Sequence, residues 1–333
     1  MLEMFKQRPM RTLLLVVLGV AAFSLPLEPQ ARSERVYRIG YLLPPSEKAV
    51  RSHTDGFLRG LRERGYVVGK NVRIDYRFAN YDLSRLPGLA GELVDLKPDV
   101  IVTASPPGVR AAKKATHRIP IVIAAVYDPV GLGFVKSLAR PGGNITGLSV
   151  QYEDTIPKML ELIMDVLPKA RKFAVLQTVD PSHDKFVRRI REILISRRID
   201  VEAFKARKPV DIEIAFNKIM GAKSDAVFVL PHPLFNTRPK EVVGHALVRV
   251  LPGVYPFSTY ARAGGLMSLG VDLPDIFRRA AYFVDRILKG AKPADLPVEQ
   301  PTIFELTINM KTAKALSLTI PPSIMVRADK VIE

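Results

Sequence analysis

The sequence predicts an α/β protein made of two similar lobes in tandem, each a parallel sheet with helices on both faces, with a ligand cleft between them. Three observations carry that expectation. Short β-branched apolar runs alternate with segments of helical periodicity through the first half of the chain. The same order of elements returns in the second half. The strands also end in small polar or proline-containing turns, where open α/β sheets hold their ligands.

In the first half, residues 36–43 (VYRIGYLL) read as a strand that stops at Pro44-Pro45-Ser46. Residues 53–64 place Phe57, Leu58 and Leu61 on one helical face and stop at Gly65. Val72, Ile74, Tyr76 and Phe78 alternate, predicting a strand over 71–78. The spacing predicts a helix over 84–96 with Ser84 as its N-cap, a buried strand over 99–104, and a helix over 109–116 behind Ser105-Pro106-Pro107-Gly108. The run IVIAAV at 121–126 is short and β-branched enough for a buried parallel strand. Asp128-Pro129 interrupts it, a helical pattern follows over 132–138, and the breaker Arg140-Pro141-Gly142-Gly143-Asn144 leads into an apolar strand over 145–150.

The second half gives strands over 172–177, 200–205, 226–230 and 254–258, with helices over 184–196, 210–220 and 240–250. A glycine-rich stretch at 264–270, a helix over 274–289, a proline-rich connector near 293–301, a strand over 303–308 and a helix over 311–316 complete the chain. Gly264-Gly265 suggests a crossover, because glycine absorbs the backbone angles of a hinge. The expected division is residues 35–147 plus 264–297 for the first lobe and 148–263 plus 298–333 for the second.

Composition narrows the class. The 333 residues suffice for two domains, and 47% hydrophobic with 25% charged residues is a globular balance. With no cysteine, disulfides, thiolate catalysis, cysteine-ligated zinc and lipid attachment at an N-terminal cysteine are excluded. Residues 1–31 carry Lys6, Arg8 and Arg11 ahead of an apolar stretch of about 14 residues, too short for a spanning helix, which predicts a cleaved export leader ending at Ala31. The net charge is +17. The basic residues are dispersed without a block of like charge, so they read as a basic surface and not as a nucleic-acid site.

Catalytic patterns are thin. The five histidines lack zinc-helix spacing, and no G-x-S-x-G elbow, Walker A sequence or G-x-G-x-x-G after the first strand is present. His232, in Pro231-His232-Pro233, reads first as a capping residue, and Asp128 lacks a partner acid. The strand-end turns suit binding instead: Ser46, Ser105, Asp128, Asp180 and Ser182 stand where strands deliver polar groups onto helix starts. Ser105 leading into a helix favours a carboxylate through backbone N–H groups and the helix dipole. Asp128, an acceptor when ionised, suits an α-ammonium group. Such turns also serve as plain N-caps. Tyr127, Tyr152 and Tyr260 lie near them, read first as packing. The candidate ligand-binding set is Ser46, Ser105, Gly108, Asp128, Pro129, Gln151, Asp180, Pro231, Tyr260 and Asp272, with no catalytic residue, metal or cofactor assigned.

Several long stretches carry a resemblance. AAVYDPVGLGFVKSLARPGGNITGLS, GLRERGYVVGKNVRIDYRFAN, AGGLMSLGVD and ILKGAKPADLPVEQPTIFELTINMKTAKALSLTIPPSIMVRADKVIE resemble the tryptophan/tyrosine-type substrate-binding proteins of ABC transporters, over about residues 35–333. The resemblance implies a periplasmic-binding-protein type I fold: two Rossmann-like lobes, three crossovers, and closure on a small ligand. It further implies a carboxylate at the Ser105 turn and an ammonium at the Asp128 turn. The sequence departs from many relatives in having Ser105-Pro106-Pro107 where they carry a small Gly/Ala/Thr-rich turn. The expected function is an exported, periplasmic and monomeric solute-binding protein that delivers a carboxylate-bearing, amino-acid-like or aromatic ligand to a permease in the inner membrane. A ligand-sensing subunit of a membrane receptor, a repressor-type effector module and an exported enzyme on the same fold remain as alternatives.

Overall fold

The computed structural model describes residues 35–333; the expected leader at 1–31 lies outside the described residues. β1 (Tyr37–Leu43) is flanked by β2 (Val72–Phe78) and β3 (Val100–Ala104), followed by β4 (Ile121–Val126) and β5 (Ile145–Ser149), giving an all-parallel sheet of order β2-β1-β3-β4-β5. The central strands β3 and β4 are buried along almost their whole length, as their apolar runs require of a sheet covered on both faces. α1 (Arg51–Arg62), α2 (Leu86–Asp95) and α3 (Ser105–Ala115) supply the crossovers.

After β5 the chain enters the second sheet. α4 (Tyr152–Val166) precedes β6 (Lys172–Gln177), α5 (Ser182–Ile195), β7 (Asp200–Lys205), α6 (Val210–Gly221), β8 (Ala226–Val229), the short α7 (Pro233–Asn236), α8 (Pro239–Leu247), β9 (Gly253–Tyr255), α9 (Ser258–Arg262) and β10 (Met267–Gly270). α10 (Leu273–Leu288) returns to the first sheet and packs along α1 and against β4 and β5. The chain then crosses once more into β11 (Glu305–Asn309), α11 (Met310–Ala315), α12 (Pro322–Met325) and β12 (Lys330–Ile332). The second sheet has seven strands, β12-β11-β10-β9-β8-β6-β7, parallel except that β11 runs antiparallel to β10.

Close backbone approach fixes α10 on α1. A Cβ placed on Gly56 would stand 2.2 Å from the Pro274 carbonyl oxygen, and one on Gly60 would stand 2.2 Å from that of Arg278. These glycines, four residues apart, share one helix face. Tyr66 adds a buried hydroxyl that donates to Asp285 at 3.0 Å. At the crossovers, Ser149 N–H donates to the Glu299 carbonyl and Glu299 N–H to that of Gly147, each at 2.9 Å, so the first and third connections run side by side. Arg279 holds Glu299 there at 2.7 Å.

Four local expectations differ from the structure. Residues 132–138 form turns and not a helix, because Asp128 accepts the Gly131 N–H at 2.9 Å and Gly133 sits at φ +68°. Ser84 does not cap α2: it lies in a 3₁₀ turn capped by Asp82. Leu148 and Ser149 stay in the first sheet as part of β5, whose ladder with β4 reaches Ser149. Residues 267–270 form β10, paired with β9 and β11, so the return to the first sheet follows Gly270 and not Gly264. Gly264 instead lets the chain turn between α9 and β10, at φ +105°. α4, α7, α9, α12 and β12 were not anticipated; α4 tolerates Pro157 and the others are short.

Candidate functional site

The C-terminal ends of β1, β3 and β4 face the turn after β8, and between them lies a cavity. Its walls come from both halves of the molecule. The first contributes Leu43, Pro44 and Pro45 after β1, Val50 and His53 at the start of α1, Ala104-Ser105, Ala125, Tyr127, and Leu273 and Phe277 from α10. The second contributes Val150, Pro231, His232, Pro233, Asn236, Thr237 and Phe257. None of these lining residues is Asp, Glu, Lys or Arg. The wall is therefore apolar and aromatic with a few placed polar groups, the usual make-up of a small-molecule pocket.

Each polar group has a defined hydrogen-bonding state. Ser105, 8% exposed, opens α3 with φ +63°, and its Oγ has no partner. A buried hydroxyl without a partner costs stability, so its retention marks a place where a ligand atom can complete it. Pro106 and Pro107 remove two of the N–H groups that a helix start otherwise offers an anion. His232 caps α7 by accepting the Leu234 N–H on Nδ1 at 3.1 Å, which leaves the proton of the neutral ring on Nε2. Burial lowers its pKa to about 3, reinforced by the neighbouring His183 ring, whose centroid is 5.7 Å away. Asn236 accepts the Tyr260 hydroxyl on Oδ1 at 3.0 Å, leaving its NH₂ as the free end. The Thr237 hydroxyl donates to the Pro233 carbonyl at 2.7 Å. His53 stacks on Phe277 with centroids 5.1 Å apart, and burial lowers its pKa to about 4 against the pull of Asp272.

The sequence-derived site residues scatter around this cavity. Ser105 and Pro231 line it. Gly108 packs beneath it against Thr103 and Pro44. Tyr260 is fully buried, stacked on Tyr255 at 5.0 Å, and reaches the cavity only by orienting Asn236. Asp128, Pro129 and Gln151 line a neighbouring pocket, where Asp128 pairs with Lys185 at 3.2 Å. Asp180 borders a third, with one carboxylate oxygen held by the Ser182 N–H and hydroxyl and the other by Arg110 at 3.1 Å. Asp272 caps α10 through the Asp275 N–H. Ser46 lies in the β1–α1 turn, its carbonyl accepting the Ala49 N–H, and is not among the lining residues. His53, Asn236, Thr237, Phe257 and Phe277 were missed; the Pro-His-Pro turn was the one local signal near any of them.

Several contacts join the two halves around the cavity. Arg110 of α3 meets Asp180 beyond β6, Lys185 of α5 meets Asp128 beyond β4, and Arg238 lies 3.8 Å over the ring of Tyr81. The Tyr127 and Ser182 hydroxyls are 3.1 Å apart, and Tyr127 meets Phe186 edge-on at 5.2 Å. Among the described residues, no group of three or more His, Cys, Asp or Glu is placed to hold a metal ion, and no helix is long and apolar enough to cross a membrane.

Comparison with known proteins adds relatives across most of the chain. The sequence profile of the family described as ABC transporter substrate binding protein matches residues 39–332. A tyrosine-binding protein of Clostridioides difficile (strain R20291) is 30% identical over 264 residues, covering 79% of this chain and 76% of that protein. A crystal structure of a conserved domain protein from Vibrio cholerae superposes with a TM-score of 0.83 at 29% identity, covering 89% of this chain and all of the other. An ABC domain from Streptococcus pneumoniae in complex with L-Trp gives 0.80 at 29% identity, covering 88% of this chain and all of the other.

Proposed function

The chain belongs to the ABC transporter substrate binding protein family, and from that premise we propose that it is an exported, monomeric solute-binding protein that closes two lobes on a small apolar ligand and delivers it to a membrane permease. The observation that carries this reading is the cavity at the strand ends, walled by residues from both halves of the molecule. In this reading the first lobe is the five-stranded sheet with α10 and the second lobe is the seven-stranded sheet, with crossovers after Ser149, Gly270 and Glu299. The aromatic wall of Tyr127, Phe257 and Phe277 suits a ring, in keeping with relatives described as binding tyrosine and L-Trp. Ser105, His232 and Asn236 orient the ligand's polar end.

A ligand that binds only the native state raises stability by about 2.7 kcal/mol at a hundredfold excess over Kd. For a chain of this size that is a rise in melting temperature of roughly 4 °C. A thermal-shift screen over aromatic and branched amino acids and the corresponding carboxylic acids is expected to give such a rise for at least one compound. Thr237→Phe, which fills the cavity, is expected to abolish it. No shift at millimolar concentration for any compound, together with no small molecule bound to the purified protein by native mass spectrometry, would overturn the proposal.

A further inference from the structure

We infer that the cleft takes an apolar carboxylic acid without an α-ammonium group, an aromatic or branched monocarboxylate, in place of a zwitterionic amino acid. This rests on the reading of the cleft as the solute site and specifies the chemistry of its occupant. The argument is one of donors and acceptors. At Asn236 the acceptor oxygen is already taken by the Tyr260 hydroxyl, so the amide offers N–H donors. At His232 the ring acceptor is taken by the Leu234 N–H, so the neutral imidazole offers Nε2–H. The Ser105 hydroxyl is buried, lines the cavity and has no partner. The Thr237 hydroxyl has given its proton to the Pro233 carbonyl. Ser105, His232 and Asn236 thus present neutral donors to a ligand's polar end, matching the lone pairs of a carboxylate, while Thr237 keeps only neutral lone pairs and His53 a neutral imidazole, neither of them a charged acceptor.

An ammonium group finds the opposite. It needs two or three acceptors, at least one of them charged, to offset the loss of its hydration. No carboxylate lines the cavity. Among the acidic groups in the surrounding turns, Asp180 is held by Arg110 and Ser182 and Asp128 by Lys185 and the Gly131 N–H, while Asp272 gives one oxygen to the cap of α10 and is not among the lining residues. An adjoining pocket shares His232 with the cleft and carries, besides the Arg110–Asp180 pair, Lys114 and Arg207 on its wall, a cationic approach that draws in an anion.

The test is isothermal titration of the purified protein, unfolded and refolded to strip any carried-over ligand, with matched series. One is 3-phenylpropionate, L-phenylalanine and 2-phenylethylamine; a second is indole-3-propionate, L-tryptophan and tryptamine; a third is 4-methylpentanoate, L-leucine and isoamylamine. In the best-binding series the acid is expected to bind at least tenfold more tightly than the amino acid, with no binding of the amine. A ratio below tenfold, or one reversed in favour of the amino acid, overturns the inference while leaving solute binding in place. No binding by any of these compounds overturns both. Asn236→Asp replaces the donor amide with an acceptor of the same shape, and is expected to weaken the acid at least tenfold and to admit the amine; unchanged acid affinity would overturn the inference. Asn236→Ser, which removes the amide without adding charge, gives the same reading for the acid if the aspartate variant does not fold.

Discussion

His183 lies fully buried behind the cleft, accepting the Thr178 N–H on Nδ1 at 3.0 Å and facing the Pro231 carbonyl from Nε2 at 3.3 Å. Burial lowers its pKa to about 4, and Asp180 recovers only part of that shift. The unfolded chain takes up this proton near pH 6.5 and the native protein near 4, so between those values unfolding binds protons and stability falls with pH. Its contribution is fully present above pH 6.5, and its loss by about pH 4 amounts to ~3 kcal/mol. Chemical denaturation across pH 7.5 to 4.5 is expected to show this decline together with those of His53 and His232, and His183→Gln to make it shallower by the share of one histidine; an unchanged slope in the variant would assign the decline to other groups. The same scale shows why the site was only partly legible in the sequence. Ser105 was visible because its turn is local. Asp128 and Asp180 look like ligand carboxylates from their strand-end positions, but their partners Lys185 and Arg110 stand 57 and 70 residues away. No local pattern announces that such a charge is already spent within the protein.

Among the elements, the pairing of α1 with α10 is the most demanding fit. Gly56 and Gly60 let the Pro274 and Arg278 backbone come within reach of the α1 axis, and any side chain there meets a carbonyl and not a movable side-chain tip. Gly60→Ala is therefore expected to cost ~1–3 kcal/mol, read as a lower denaturation midpoint with an unchanged slope. A change under about 0.5 kcal/mol would mean that the helices separate without penalty. Strands and long amphipathic helices were legible because their periodicity is written in a single window: 121–126, 200–205 and 273–288 fall close to where the apolar spacing puts them. The stretch at 132–138 was misread for the same reason, since its apolar spacing resembles a helix while Asp128, Gly131 and Gly133 commit the backbone to turns. β10 was missed because four residues beside a pair of glycines carry almost no period at all.

For the molecule as a whole, several contacts span the cleft, and the proposed closure puts them at its seam. Arg110 is 46% exposed whereas the Asp180 carboxylate is 4% exposed, so this pair is screened on one side and contributes at most ~1 kcal/mol to the closed arrangement. Arg110→Ala is expected to increase the radius of gyration of the ligand-free protein in X-ray scattering and to weaken ligand binding by no more than about fivefold, with the difference shrinking in high salt. No change in radius at low salt would show that the pair does not hold the halves together. The two-lobed plan was legible from the repeated order of elements, while the positions of the crossovers depended on how β5 pairs with β4 and β10 with β9 and β11, which no single window of sequence shows. Those crossovers carry a consequence for synthesis. α1 stays without its cover until α10 exists, the partners Glu63 and Arg278 being 215 residues apart, and β10 waits for β11 on its open edge. A ribosome that has made the first 260 residues holds two half-walled sheets with bare apolar faces, and such high contact order slows folding. A chain stopped at residue 270 is accordingly expected to bind chaperones or aggregate, and to recover native circular dichroism only when the missing segment is supplied as a separate polypeptide.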